Sequence, residues 1–298
     1  MGRRDVGILH PGSMGAQVAA QAVAAGATLR WLPQGRSAAT RERAGDIGLR
    51  PAADLRELAG ACEILLSVCP AAAALDVAAQ VADAGFRGVY VDADADAVGP
   101  ERMAEITDVF EGGAVTVVDG GIAGPPPREP ARTRCYLSGD DTAVARVRDL
   151  FEGTARTPFV LPGPVGRASA LKPAFAAYNK ISYALAARAC ALADGHGVLD
   201  DLVDLAGHLL PDTPLGTPEH LATAGARAWR REPEMREIAG ACRAAGVSAA
   251  FAEAAAATFG RWEAHKDDQA VTAGELIAEL GRGTPSGTSP GRKGLPSR

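Results

Sequence analysis

Short apolar runs alternate with Ala-rich stretches of helical periodicity through the first half of the chain. Strands are predicted at Asp5–Leu9, Thr28–Leu32, Glu63–Val68, Gly88–Asp92, Ala114–Val118, Arg134–Ser138 and Pro158–Leu161. The alternation predicts βαβ units around a parallel sheet. Several of these runs are apolar on consecutive residues, as strands covered on both faces must be. From about Val165 the pattern changes. Ser169–Asp194 reads as one long helix, ending at Gly195-His196-Gly197, where glycine can adopt the left-handed cap conformation. Helical stretches follow at Asp200–Leu210, Pro218–Arg230, Pro233–Ala245, Ala249–His265 and Thr272–Leu280, with no further convincing strand and no internal repeat.

The predicted fold class is therefore α/β. A doubly wound sheet occupies residues 1–164, a long connecting helix opens an all-α domain over 165–280, and a tail follows over 281–298. The tail is Gly/Pro/Ser/Thr-rich with four basic residues and no acid, so it cannot bury a core and is expected to be flexible.

The turn after the first predicted strand carries the first chemistry. Val6-Gly-Ile-Leu-His-Pro-Gly-Ser-Met-Gly15 leaves that strand and enters a predicted helix, Ser13–Ala25. Strand, tight turn and helix N-terminus are the context of a Rossmann dinucleotide fingerprint. Gly12 lets backbone approach a pyrophosphate, Gly15 lets the helix pack close to the strand, and Ser13 and Met14 lie between them. The helix N-terminus offers free N–H groups and a positive dipole to phosphates. His10 stands where the fingerprint has its first glycine; it either touches the pyrophosphate or packs under the loop.

An NAD site usually places an acid about 20 residues beyond the loop, on the ribose 2′-hydroxyl. Here the second strand runs into Leu29-Arg-Trp-Leu-Pro-Gln-Gly-Arg-Ser37 without one. Arg36, Ser37 and Arg41 suit a 2′-phosphate instead, so NADP is the expected cofactor, with NAD possible.

Five segments, taken in order, make the chain resemble the 6-phosphogluconate dehydrogenase-like, or β-hydroxyacid dehydrogenase, superfamily. The opening loop resembles its G-L-G-x-M-G. Leu65-Leu-Ser-Val-Cys-Pro70 resembles a strand ending beside the cofactor, which implicates Val68, Cys69 and Pro70. Val89-Tyr-Val-Asp-Ala-Asp94 resembles the D-x-S/N strand near the nicotinamide ribose, which implicates Asp94. Val118-Asp-Gly-Gly-Ile-Ala-Gly124 resembles the D-A-P-V-S-G-G substrate loop, which implicates Ile122, Ala123 and Gly124. Gly166-Arg-Ala-Ser-Ala-Leu-Lys172 resembles the G-x-G-x-A-x-K signature with its catalytic lysine. Ser169–Lys180 and Ala228–Ala239 further resemble a branch in which the NAD-binding domain is fused to a C-terminal helical domain of unassigned function. The resemblance covers residues 5–265.

It implies hydride transfer between a nicotinamide and a small hydroxyacid or oxoacid, with Lys172 as general acid/base, and a homodimer packed through the helical domains. Four departures qualify it. The family's loop serine is Ala123, its asparagine one turn after the lysine is Ala176, the D-x-S/N position holds Asp94, a charge where a neutral hydrogen-bonding group is usual, and Pro173 follows the lysine directly. Proline lacks the helical N–H and crowds the carbonyl four residues back, so the helix should begin near Lys172 or kink there. At 100° per residue, Asn179 returns to within about 20° of Lys172 and Lys180 borders that face at about 80°. Both are candidates to replace the missing asparagine, while Lys180 also fits a solvated helix position. The departures leave two other readings open: an imine or ketone reductase on the same scaffold, and a non-catalytic dinucleotide-binding protein.

Composition adds limits. Of 31 cationic Lys and Arg residues only four are Lys, namely 172, 180, 266 and 293, and two of these fall in one predicted helix. Net charge is −5 and the basic tail leaves the body more acidic still, which excludes a nucleic-acid surface. No apolar run approaches the ~20 residues of a membrane span, and the N-terminal apolar stretch is too short for a signal peptide. Five scattered cysteines without CxxC point to a reducing cytoplasm and away from zinc. Asp92-Ala-Asp-Ala-Asp96 lacks the glycine and terminal Glu of a calcium loop, and no metal is expected. Trp229, Met235 and Ile238 recur at helical spacing and read as core or as the wall of a substrate pocket.

Overall fold

The computed structural model describes residues 5–93, 99–123, 133–154 and 157–282. Two compact units divide inside a long helix, one running up to Ala174 and the other from Phe175 on.

The first unit opens with β1 (Asp5–Ile8), α1 (Ser13–Ala24), β2 (Thr28–Trp31), α2 (Ala38–Ile47), β3 (Arg50–Pro51) and α3 (Leu55–Ala61). It continues with β4 (Ile64–Ser67), α4 (Ala74–Asp83), β5 (Gly88–Asp92), α5 (Pro100–Val109), β6 (Val115–Ala123), β7 (Arg134–Gly139), α6 (Asp141–Arg148) and β8 (Phe159–Val160). The sheet order is β3-β2-β1-β4-β5-β6-β7-β8. Its first six strands are parallel in the doubly wound order, with the crossover between β1 and β4.

Strand periodicity builds the two faces. Val6, Ile8, Ile64, Leu66, Val89 and Val91 point into one apolar layer with α1 and α6 residues such as Ala19, Ala22 and Val144. The intervening Leu65 and Tyr90 point into the other, with Leu58, Val81, Met103 and Ile106 from α3, α4 and α5. That is why these strands are apolar on consecutive residues.

Two strands depart from expectation. β3 is a two-residue edge strand ending in proline, with both residues exposed, and carries no apolar pattern to betray it. β6 extends five residues beyond Val118, through glycines that read as a loop. Antiparallel pairing with β7, from Val118 opposite Gly139 to Ala123 opposite Arg134, holds this segment straight. The sheet is thus not wholly parallel. Small residues suit the extension because the neighbouring chain is close: a Cβ on Gly121 would lie 2.9 Å from the Ala168 carbonyl oxygen.

That carbonyl belongs to α7 (Arg167–Gly195), whose first turn is tied to the sheet by one buried acid. Asp119, on β6 and wholly buried, accepts hydrogen bonds from the Gly166 N–H (3.0 Å), the Ser169 N–H (3.0 Å), the Ser169 hydroxyl (2.6 Å) and the Ser138 hydroxyl (2.9 Å). The Ser138 oxygen in turn accepts from the Ala168 N–H at 3.1 Å. A helix leaves its first N–H groups without internal partners. Here a carboxylate and a hydroxyl from two neighbouring strands supply them, and the carboxylate sits at the positive end of the helix. The helix begins five residues before Lys172, so Pro173 lies in its interior rather than in its first turn. Proline's missing N–H takes away the partner of the Ser169 carbonyl.

From Phe175 on, the second unit contains the rest of α7, then α8 (Leu199–Leu209), α9 (His220–Ala226), α10 (Ala228–Ala244), α11 (Ala250–Gly260) and α12 (Ala273–Gly281). Alanines let these helices approach closely around Leu221, Met235, Ile238, Phe259, Trp262 and Leu276. The predicted helix at 218–230 is two: α9 ends at Ala226 and α10 starts at Ala228, carrying Pro233 in its interior. The tail from 283 lies outside the described residues. No helix among the described residues is long and apolar enough to cross a membrane.

Asp119→Ala would strand several buried donors at once and should cost roughly 3 kcal/mol or more. Asp119→Asn keeps part of the acceptor set and should cost less. Urea unfolding of both variants against the unsubstituted protein measures the difference.

Candidate dinucleotide and proton-transfer site

The loop between β1 and α1 meets the requirements of a phosphate cradle one residue at a time. Gly12 is the N-cap of α1, in extended conformation (φ −67°, ψ −164°), and no side chain caps the helix. The first turn carries no acid, so the positive helix end is left for an external anion. A Cβ built on Gly12 would meet nothing within 4 Å, so the backbone there faces open space. Gly15 is the opposite case. Its Cβ would lie 2.1 Å from the His10 carbonyl oxygen and 3.4 Å from Val68 Cβ, so only glycine lets α1 seat against the ends of β1 and β4. Ser13 is exposed at the first turn, whereas Met14 is half-buried and packs on the apolar layer under α1. His10 does not have a positive φ; among the described residues only Asp267 does so without being glycine. The turn therefore needs no glycine at position 10.

The ends of three neighbouring strands meet at this loop. Leu9 N–H donates to the Leu66 carbonyl (3.0 Å) and Ala93 N–H to that of Ser67 (2.8 Å). After β4, Val68 and Cys69 are buried and Pro70 is exposed. After β2, Ser37 caps α2, its hydroxyl accepting from the Thr40 N–H at 3.3 Å. Arg41 donates to the Arg36 carbonyl at 3.2 Å, which fixes the Arg36 backbone. Burial holds the Arg36 pKa below the usual range, and its charge acts on His10 while the Cys69 thiol acts on it. Burial first, and the Arg36 charge second, lower the His10 pKa to about 4, so the imidazole is neutral near pH 7. Two buried nitrogens here, His10 Nδ1 and Arg36 Nε, have no hydrogen-bond partner within the protein. Open backbone at Gly12 and the unpartnered nitrogens of His10 and Arg36 fit an anionic dinucleotide. Asp94 and Gly124 lie outside the described residues.

Lys172 sits half-buried in α7, in the first unit, three residues after Ser169, the last residue anchored by Asp119. Asn179 and Lys180 belong to the second unit. Asn179 is exposed, and its carbonyl accepts from the Ser182 hydroxyl at 2.8 Å. Lys180 is ion-paired with Glu234 of α10. Ala176, where the family has asparagine, is buried in the helical core. Ile122 is likewise buried, in the sheet's apolar layer, and Ala123 is half-buried at the end of β6. Of the triplet at helical spacing, Met235 and Ile238 are core; Trp229 is partly exposed, with Lys266 over its ring at 4.4 Å. No group of three metal-ligating side chains occurs among the described residues.

Sequence reasoning assigned no role to Asp119, Ser138 or Glu234. An acid inside an otherwise apolar strand was the available signal for Asp119. The other two need tertiary contacts to be seen.

The two loop glycines separate stability from binding. Gly15→Ala should destabilise the first unit by about 1–3 kcal/mol through the clash with the His10 carbonyl. Gly12→Ala should cost well under that yet weaken dinucleotide binding, because its methyl group enters the open space. Thermal unfolding and fluorescence titration with NADPH distinguish the two effects.

Comparison with known proteins agrees with this layout. The family described as the NAD binding domain of 6-phosphogluconate dehydrogenase matches residues 5–163, and a domain of unknown function, DUF1932, matches residues 193–262. No curated protein matches. Among solved structures, a conserved hypothetical protein from Sinorhizobium meliloti 1021 aligns with TM-score 0.74 at 22% identity, covering 94% of this chain and 97% of its own. The 3-hydroxyisobutyrate dehydrogenase of Mycobacterium tuberculosis, solved with L-serine, aligns with TM-score 0.72 at 17% identity, covering 94% and 99%. An imine reductase from Streptomyces aurantiacus aligns with TM-score 0.55 at 21% identity, covering 92% and 99%. At these identities the solved structures show a shared fold. The match over more than half the chain, on the segment that carries the loop, His10 and Arg36, shows that this protein belongs to the family of the 6-phosphogluconate dehydrogenase NAD-binding domain.

Proposed function

We propose that the protein is an NADP-preferring oxidoreductase that transfers a hydride between the nicotinamide and a small hydroxyacid or oxoacid, with Lys172 as general acid/base. The observation that carries the cofactor reading is the open backbone at Gly12 beside the orphaned His10 and Arg36 nitrogens. Gly12, Ser13 and the N-terminus of α1 would hold the pyrophosphate, and Arg36 with Ser37 the adenosine ribose end. Val68, Cys69, Pro70 and Asp94 would border the nicotinamide half. When bound, the nicotinamide supplies the hydride chemistry, and the protein has to orient the substrate and manage one proton.

Lys172 suits that proton. A lysine serves as base toward an alcohol or as acid toward a carbonyl once its surroundings lower its pKa. The Asp119 anchor fixes the turn of α7 before it, so the ammonium stem leaves a backbone of set position. Ala123, at the end of β6, and Gly124 would form part of the substrate wall. The ion pair of Lys180 with Glu234 supports a role in shaping the helical unit more than direct contact with substrate.

The imine or ketone reductase reading has specific support as well. Ala123 and Ala176 offer no hydroxyl or amide where a hydroxyacid dehydrogenase has them, and Ala176 faces core. Such a site is less equipped to grip a hydroxyacid and better suited to a less polar substrate.

A homodimer is supported by the second unit. Tyr178, Leu185 and Phe251 are 78%, 64% and 73% exposed and line adjoining apolar grooves on α7 and α11. Apolar surface of this kind on a folded chain usually marks an interaction site. No disulfide joins any of the five cysteines among the described residues, which supports a reducing compartment.

Lys172→Ala should lower kcat on the best substrate by about 10²-fold or more while NADPH affinity stays within twofold. A spectrophotometric screen of hydroxyacids, oxoacids and cyclic imines identifies that substrate, and survival of turnover in the variant would contradict the lysine mechanism. Light scattering after gel filtration should give a dimer, and Phe251→Asp should shift it toward monomer without changing the far-UV spectrum.

A further inference from the structure

The position at which this chain leaves the dinucleotide fingerprint is also the position of a buried ring nitrogen with no partner within the protein. His10 replaces the first glycine, yet its backbone does not use the conformation that glycine would permit. The substitution therefore answers no demand of the turn; what it adds is a side chain. That side chain follows β1, and Arg36 follows β2, the neighbouring parallel strand whose end faces the adenosine ribose in this fold; the Arg36 charge acts on the imidazole. Both groups keep a buried nitrogen unpaired, Nδ1 of His10 and Nε of Arg36. Burying such groups unpaired is costly, and placing an imidazole against a guanidinium disfavours its protonation. An anion that accepts from both removes both costs.

We propose that His10 is a specificity-determining residue that, together with Arg36, grips a ribose 2′-phosphate, making NADP discrimination depend on the side chain at the first fingerprint position. The inference rests on the NADP reading above and extends it to a residue that the fingerprint normally lacks. A 2′-hydroxyl carries no charge to offset the pair, whereas a phosphate monoester at neutral pH is close to dianionic and offers three acceptor oxygens.

A proton accompanies this grip. The charged and titratable groups that act on this pair are Arg36 after β2, on His10, and the Cys69 thiol after β4, on Arg36. In the free protein the imidazole is neutral at pH 7, its pKa being about 4. A dianion beside it favours the charged form, so its pKa rises in the complex and a proton is taken up from solvent.

Isothermal titration of the full chain with NADP⁺ and with NAD⁺, each in two buffers of different ionisation enthalpy at pH 7, tests this. The variants are His10→Gly, which restores the fingerprint, and Arg36→Ala. The expected result is tighter binding of NADP⁺ than of NAD⁺ in the unsubstituted protein, with proton uptake on binding NADP⁺ only. His10→Gly should weaken NADP⁺ about tenfold, abolish the uptake and move NAD⁺ by less than twofold; Arg36→Ala should weaken NADP⁺ at least as much. If His10→Gly leaves the NADP⁺/NAD⁺ ratio unchanged, or weakens NAD⁺ equally, the inference is overturned while the cofactor reading stands. If neither dinucleotide binds the unsubstituted protein, the cofactor reading itself fails.

Discussion

A carboxylate buried in a sheet has to be surrounded by donors, and Asp119 obtains them from the start of α7 and from Ser138 on β7. The same contact solves the complementary problem of that helix, whose leading N–H groups need acceptors. Much of the local architecture follows from it. β7 runs antiparallel beside β6 to place Ser138, and the β6 residue nearest Ala168, Gly121, must be small. Lys172 inherits its position from this set, because it stands only one turn beyond the last anchored residue, Ser169.

A second constraint shapes the dinucleotide end. Gly15 allows α1 to touch the carbonyl of His10, while Gly12 is bounded by nothing. Two glycines that look alike in a motif thus have different physical reasons, one set by the protein's own packing and the other by space left for something else. His10 shows the converse, a position where the motif has glycine although this backbone does not require it.

These particulars also show what the sequence made legible. Strands buried on both faces, the glycine loop and the long Ala-rich helix are local patterns, and all appear close to where periodicity places them. β3 escaped because two exposed residues ending in proline carry no pattern. The continuation of β6 escaped because Gly-Gly reads as a turn until a partner strand is known. Asp119, Ser138 and the Lys180–Glu234 pair escaped because each depends on residues distant in sequence. The start of α7 was obscured by Pro173, which argues locally for a boundary; tertiary anchoring at Gly166 and Ser169 places it five residues before Lys172. The scarcity of lysine pointed to the segment 172–180, yet the two lysines there divide between units and differ in their surroundings.

The central claim is that the anchored helix presents Lys172 to the reacting atoms of a substrate held beside a dinucleotide seated on the β1–α1 loop. A crystal structure of the ternary complex with NADP⁺ and the best substrate or a close analogue tests it most directly. The account predicts the pyrophosphate at Gly12 and the N-terminus of α1, with Lys172 Nζ within roughly 2.6–3.2 Å of the substrate oxygen or nitrogen that gains or loses the proton. A complex in which another side chain occupies that place and Lys172 is turned away from it would contradict the account.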